Sequence, residues 1–250
     1  MDFTGLFIPK NKIISDRLLY RSFLSRIDEN HTINELYVKN ERGLNKFNMK
    51  EEKEMAVKCG VFLARMQPVH NAHLWLVEKA LKENDKVLIV LGSENKVDML
   101  RNPYGITLRK RMLRECLTEE QNKRLSILTL PDWSMESDRE SDKIWGRYFY
   151  YNVVAKLGQK RFSIYYSDDV RILDSWFNET EIRDYITYRN FERSEIFEGL
   201  SSTKIRNAFI QNDMDYIKKY CPDSVVKRFD YLASYYKDVS NSPQEDFSME

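Results

Sequence analysis

The sequence predicts an α/β protein: a parallel sheet of about five strands with helices on both faces, behind an N-terminal helical extension. Three observations predict it. From residue 59 onward, short apolar runs alternate with segments of helical period, the pattern of βαβ units. The run Lys86 to Gly92 reads KVLIVLG, apolar without alternation, as in a strand covered on both faces. Residues 1–55 lack this pattern and form a separate stretch.

The elements follow in order. Ser15 can cap a helix whose Leu18, Leu19, Phe23, Leu24 and Ile27 fall roughly on one face. Asn48 to Lys58 is highly charged and reads as linker or helix. Gly60 to Ala64 is the first core strand, and Leu74, Val77 and Leu81 then recur at helical spacing. The KVLIVLG strand is followed by a helix over Leu108 to Leu117. Leu125 to Leu130 (LSILTL) is a third strand, stopped by Pro131. Trp145 to Leu157 reads as helix, Arg161 to Tyr166 as a fourth strand, and Glu195 to Phe197 as a weak fifth. Ser202 caps a helix running to Ile210, and another runs from Pro222 to about Tyr236. The organisation expected is an extension over 1–55, one α/β domain over 56–239 and a loose tail over 240–250.

Composition bounds the function. With 42% hydrophobic residues in 250, the chain can fill a core. Its longest aliphatic run, Val87 to Leu91, is five residues, against the roughly 20 of a membrane span, so no membrane partner is expected. Forty basic and 39 acidic residues leave a formal charge of +1, which demands no nucleic-acid partner. The start Met1-Asp2-Phe3-Thr4 lacks a basic segment leading into an apolar one, and three scattered cysteines fit no disulfide framework. A cytoplasmic protein is expected. Only eight glycines occur, and none builds G-x-G-x-x-G or the Walker loop, so phosphate must be held another way.

Two of the three histidines, His70 and His73, follow the first strand and open the first core helix. Spacing of three puts both imidazoles on one face, beside free N–H groups and the positive dipole end. Two ring donors there can hold a polyphosphate. Alone, such a pair is more often ordinary polar surface, and zinc is weaker still because no third histidine or nearby cysteine completes a site.

The stretch Gly60-Val-Phe-Leu-Ala-Arg65-Met-Gln-Pro68-Val-His70-Asn-Ala-His73 resembles the H-x-G-H signature of the nucleotidylyltransferase superfamily. In detail it is similar to the archaeal-type nicotinamide-nucleotide adenylyltransferases. Three further stretches match in order: Gly92-Ser93 through Arg101-Asn102-Pro103-Tyr104 to Arg109, then Leu130-Pro131-Asp132 with Ile144-Trp145, then Ser201-Ser202-Thr203-Lys204-Ile205-Arg206. The resemblance covers roughly residues 59–235 and implies a Rossmann-like sheet. Ala72 stands where the signature has glycine, and Ala64 where a glycine precedes the arginine.

The resemblance implies transfer of an adenylyl group from ATP to nicotinamide mononucleotide, giving NAD and pyrophosphate. It implies His70, His73 and Arg206 as catalytic residues, with Arg65, Ser202, Thr203, Arg101, Gly92 and Ser93 at ATP and its phosphates. It implies Trp145, Asn102, Tyr104 and Arg109 at the acceptor, with Trp145 stacking the pyridine ring and Trp133 a competitor. Mg²⁺ is expected, held mainly by the ATP phosphates rather than by protein ligands, and a homo-oligomer is expected. Asp168-Asp169, after the fourth strand, reads equally as a ribose contact or a helix cap. Alternatives are transfer to another acceptor, phosphopantetheine or an alcohol phosphate, and a degenerate nucleotide-binding regulatory protein.

Overall fold

A computed structural model describes residues 57–132, 139–167, 170–177, 180–192 and 197–242. The extension (in which a helix is expected over Ser15–Ile27), Trp133, the Asp168-Asp169 pair and residues 243–250 lie outside the described residues.

Five strands, β1 (Cys59–Ala64), β2 (Lys86–Leu91), β3 (Leu125–Thr129), β4 (Phe162–Tyr166) and β5 (Ile186–Asn190), form one sheet in the order β3-β2-β1-β4-β5. All four pairings are parallel, with Val61 opposite Leu88 on one side and Ile164 on the other. The four strands expected between Gly60 and Tyr166 are present. The fifth described strand is Ile186–Asn190; of the stretch Glu195 to Phe197 expected as a strand, Glu195 and Ile196 lie outside the described residues, and Phe197–Gly199 is a 3₁₀ turn with Glu198 at φ 54°. As an edge strand with alternating exposure, β5 carries a weaker apolar signal than the covered strands.

Alternation along the strands sorts side chains onto two cores. Phe62, Val87, Ile89 and Leu91 pack on one face against α1 (Asn71–Glu83), α2 (Ile106–Glu115), α7 (Ser202–Gln211) and α10 (Phe229–Asn241). Val61, Leu88, Val90 and Ile164 pack on the other against α4 (Arg139–Leu157) and α5 (Val170–Trp176). Short helices α3 (Glu119–Arg124), α6 (Thr180–Arg183), α8 (Met214–Tyr220) and α9 (Asp223–Val226) complete the connections. The single helix expected from Pro222 is broken at Lys227–Arg228. There Arg228 leaves helical geometry at φ −110°, and its guanidinium pairs with Glu115 at 2.6 Å.

No described helix is long and apolar enough to cross a membrane. The order 3-2-1-4-5 reverses direction between β1 and β4, and in open α/β sheets the crevice at the carboxyl ends beside such a reversal is where ligands bind.

Candidate active site

A cavity of about 590 Å³ lies at that reversal, lined by the ends of β1, β2 and β4 and the first turns of α1 and α7. Ten of the residues singled out from the sequence line it: Arg65, His70, His73, Gly92, Ser93, Arg101, Trp145, Ser202, Thr203 and Arg206. Asn102, Tyr104 and Arg109 do not.

The β1–α1 loop makes one wall. Met66 takes a left-handed φ of 51°, and the Gln67–Pro68 peptide is cis. The buried Gln67 amide donates to the Tyr104 carbonyl at 3.0 Å and accepts from the Tyr104 N–H at 2.9 Å, so the loop is fastened to the residue 104 turn. His70 is the extended residue before α1, at φ −145° and ψ 170°. Its backbone N–H donates to His73 Nδ1 at 3.3 Å, and the two rings stack with centroids 3.7 Å apart. A neutral imidazole that accepts at Nδ1 carries its proton on Nε2, so His73 is set as an Nε2–H donor.

The opposite wall is α7. Its cap is Ser201, whose Oγ accepts from the Lys204 N–H, rather than Ser202. Ser202 Oγ instead donates to the Pro68 carbonyl at 3.0 Å, tying α7 to the β1–α1 loop. Arg206 is 5% exposed. Its Nη1 donates to the Gln67 carbonyl at 2.8 Å and its Nη2 to Thr203 Oγ1 at 3.1 Å, while its Nε–H has no acceptor among the described residues. Two helix N-termini and the cations of Arg65, Arg101 and Arg206 thus face one space, an arrangement that attracts a polyanion.

Three expectations need correction. Tyr104 is not a wall for a pyridine ring: it is 1% exposed, packs in the core and donates its hydroxyl to the Leu232 carbonyl at 3.0 Å. Burial pushes its phenol pKa upward. Asn102 is buried in a tight turn, its N–H donating to the Met99 carbonyl at 2.9 Å. Arg109 has no exposed surface; its guanidinium donates to the backbone carbonyls of Arg65, Gly92 and Ser93. Gly92 needs no glycine for space, since an added Cβ would meet only Leu63 Cδ1 at 3.7 Å; its carbonyl is what the structure uses.

The far end of the cavity is aromatic. Trp145, Phe149 and Val153 recur every four residues on α4; the latter two are buried against the sheet, and Trp145 lies one turn beyond them. Trp176, which sequence reasoning missed, meets Trp145 edge-on at 6.1 Å and 77° and also lines the cavity. Gly146 was its sequence signal: glycine in a helix interior costs about 1 kcal/mol relative to alanine, which asks for a packing reason. The reason is the α5 backbone, since a Cβ on Gly146 would stand 2.0 Å from the Trp176 carbonyl oxygen. Asp132 was also missed as a lining residue; its carboxylate pairs with Lys96 at 3.1 Å and accepts from Ser93 Oγ at 3.4 Å.

Residues 61–208 match the family model described as cytidylyltransferase-like. The nicotinamide-nucleotide adenylyltransferase of Thermococcus kodakarensis is 35% identical over 94 residues, 37% of this chain and 47% of that protein. That of Pyrobaculum aerophilum is 30% identical over 175 residues, 68% of this chain and 86% of the relative. Among solved structures, a bifunctional NMN adenylyltransferase/ADP ribose pyrophosphatase from Francisella tularensis, complexed with AMP and a manganese ion, is similar in fold. Its TM-score is 0.54 at 21% identity, over 73% of this chain and 52% of that one. The chain spans about half the length of the first curated relatives it matches, 47%, 46% and 46%. With the family model covering more than half of its 250 residues and the Pyrobaculum protein matched over most of its length, the chain belongs to the cytidylyltransferase-like family, alongside the archaeal nicotinamide-nucleotide adenylyltransferases.

Proposed function

We propose that this chain transfers the adenylyl group of ATP to nicotinamide mononucleotide, giving NAD and pyrophosphate, as a cytoplasmic Mg²⁺-dependent homo-oligomer without a nucleic-acid or membrane partner. The observation that carries the reading is the convergence of His70, His73, Arg65 and Arg206 on one cavity whose far end holds Trp145 and Trp176. A phosphate oxygen of the mononucleotide attacks the α-phosphorus of ATP. The bond from that phosphorus to its bridging oxygen breaks, and pyrophosphate leaves with the electron pair.

Such transfers depend on positioning and on neutralising charge as it builds. His73 Nε2–H donates to a triphosphate oxygen, with His70 stacked against it. Arg206, already held by the Gln67 carbonyl and Thr203, receives the β- and γ-phosphates at the α7 N-terminus. Arg65 and Arg101 orient ATP and acceptor phosphates. Trp145 holds the pyridine ring, with Trp176 completing that wall. Mg²⁺ would enter with the triphosphate as substrate; among the described residues no group of three His, Cys, Asp or Glu side chains could hold a metal ion.

The test is pyrophosphate release from ATP with a panel of acceptors: nicotinamide mononucleotide, its acid form, phosphopantetheine and alcohol phosphates. Turnover with the first supports the reading. A preference for another acceptor moves the function within the superfamily, and ATP binding without turnover on any acceptor replaces it with a regulatory role.

A further inference from the structure

We infer that Arg109 is a positioning residue of the nucleotide site, holding from the core the two loops that present Arg65 and Ser93 to the cavity. The inference rests on the adenylyl-transfer reading above. Arg109 lies on α2, has no exposed surface and does not line the cavity. Its Nη1 donates to the Arg65 carbonyl at 2.9 Å and to the Gly92 carbonyl at 2.9 Å, and its Nη2 donates to the Ser93 carbonyl at 3.2 Å. One planar guanidinium therefore joins the loop after β1 to the loop after β2.

Both loops need such a clamp. Met66, next to Arg65, has φ 51°, and Ser93 has φ 53°. Residues with a Cβ rarely adopt this conformation, and it persists where surrounding contacts enforce it. The side chains of Arg65 and Ser93 leave the backbone at the residues whose carbonyls Arg109 holds. Burial lowers the guanidinium pKa to about 10, so it stays cationic at neutral pH. Its hydrogen bonds among the described residues all go to carbonyls, while the Glu94 carboxylate acts on it electrostatically. A lysine keeps the charge but is a point donor that cannot span three carbonyls in a fixed plane.

The experiment compares the full chain with Arg109→Lys, Arg109→Gln, Arg65→Ala and the Arg65→Ala/Arg109→Lys double variant. Each is measured for melting temperature, for binding of a non-hydrolysable ATP analogue, and for kcat and KM. We expect kcat/KM for ATP to fall about 10-fold in Arg109→Lys and about 10²-fold in Arg109→Gln, the scale of a group misplaced by about 1 Å. If Arg109 acts through Arg65 as well as through the Ser93 loop, the double variant loses clearly less than the product of the two single losses. Full additivity overturns the inference. So does a lower melting temperature with unchanged kcat/KM, or failure of both Arg109 variants to fold, which makes the residue scaffold only. If the unmutated chain binds the analogue but turns over no acceptor, the adenylyl-transfer reading falls, and the analogue-binding cycle still decides the role of Arg109.

Discussion

Replacing Gly146 by alanine tests the aromatic end of the cavity without touching an aromatic residue. The new Cβ would stand 2.0 Å from the Trp176 carbonyl oxygen, 2.6 Å from its carbonyl carbon and 2.8 Å from its Cα. Ordinary separations are near 3.5 Å, so α4 and α5 must part by about 1 to 1.5 Å. The contact is backbone, and no rotamer relieves it. Overpacking costs about 1–3 kcal/mol, and a backbone clash that no rotamer relieves lies in the upper part of that range, about 2–3 kcal/mol, against about 1 kcal/mol regained from helix propensity. A net loss near 1–2 kcal/mol lowers the melting temperature by about 2–8 °C in a chain of this size. The displaced walls are Trp145, next in sequence, and Trp176 itself. Losing one aromatic contact, worth about 0.5–1.5 kcal/mol, raises KM for nicotinamide mononucleotide about 3- to 10-fold, while KM for ATP stays within about twofold. Thermal melts and steady-state kinetics on both substrates check this. An unchanged melting temperature refutes the helix crossing, and equal rises in both KM values refute the assignment of this wall to the acceptor.

His73→Ala removes a donor at the helix start with little core volume, so turnover should fall about 10²-fold or more in a folded protein; near-normal turnover by the same pyrophosphate assay denies the histidine its role. Arg206→Ala should raise KM for ATP and lower kcat together, and an unaltered ATP titration counts against it. Trp145→Ala should raise KM for nicotinamide mononucleotide far more than KM for ATP, which initial-rate kinetics resolve. Ala72, 8% exposed, packs in the core and also touches the cavity. Restoring the signature glycine with Ala72→Gly should cost about 1 kcal/mol of stability and leave KM for ATP within about twofold, whereas a sharply improved KM would mean the methyl obstructs the nucleotide.

The parts of this protein legible in its sequence are those written in local pattern. The covered strands announce themselves as unbroken apolar runs, and residues placed just after them reach the carboxyl edge by topology alone; hence His70, His73 and Ser93 line one cavity, to which the capped first turn of α7 brings Arg206. What stayed hidden depends on contacts distant in sequence. Trp176 ends a seven-residue helix too short to stand out in the sequence, and it reaches the cavity because α5 crosses α4 at Gly146. Arg109, within the basic run Arg109-Lys110-Arg111, reads as a ligand-binding or surface cation until three carbonyls from two loops are seen to converge on it. Tyr104 sits in a loop by sequence, but α10 closes over it, and its hydroxyl finds a carbonyl 128 residues away. Strand β5 went unrecognised because an edge strand with one wet face offers only Ile186 and Tyr188, themselves partly exposed, as its apolar signal.

The scarcity of glycine then has a structural consequence. Phosphate loops that rely on glycine gain backbone freedom and pay for it in entropy on folding. Here the loop from Arg65 to Pro68 contains no glycine and is held from three directions instead. Arg109 takes the Arg65 carbonyl, the Gln67 amide is locked to both backbone groups of Tyr104, and Arg206 takes the Gln67 carbonyl. Ser202 adds a bond to the Pro68 carbonyl. These ties put α2 and α7 on one short segment, so a shift in either helix moves the residues that lead into His70. Arg206 shows the economy of the arrangement: the same guanidinium that fastens the loop keeps an Nε–H without an acceptor among the described residues. A buried donor left unmatched is costly. On the proposed function, loop geometry and the hold on the triphosphate depend on the same side chain, which is why Arg206→Ala is expected to change KM and kcat together.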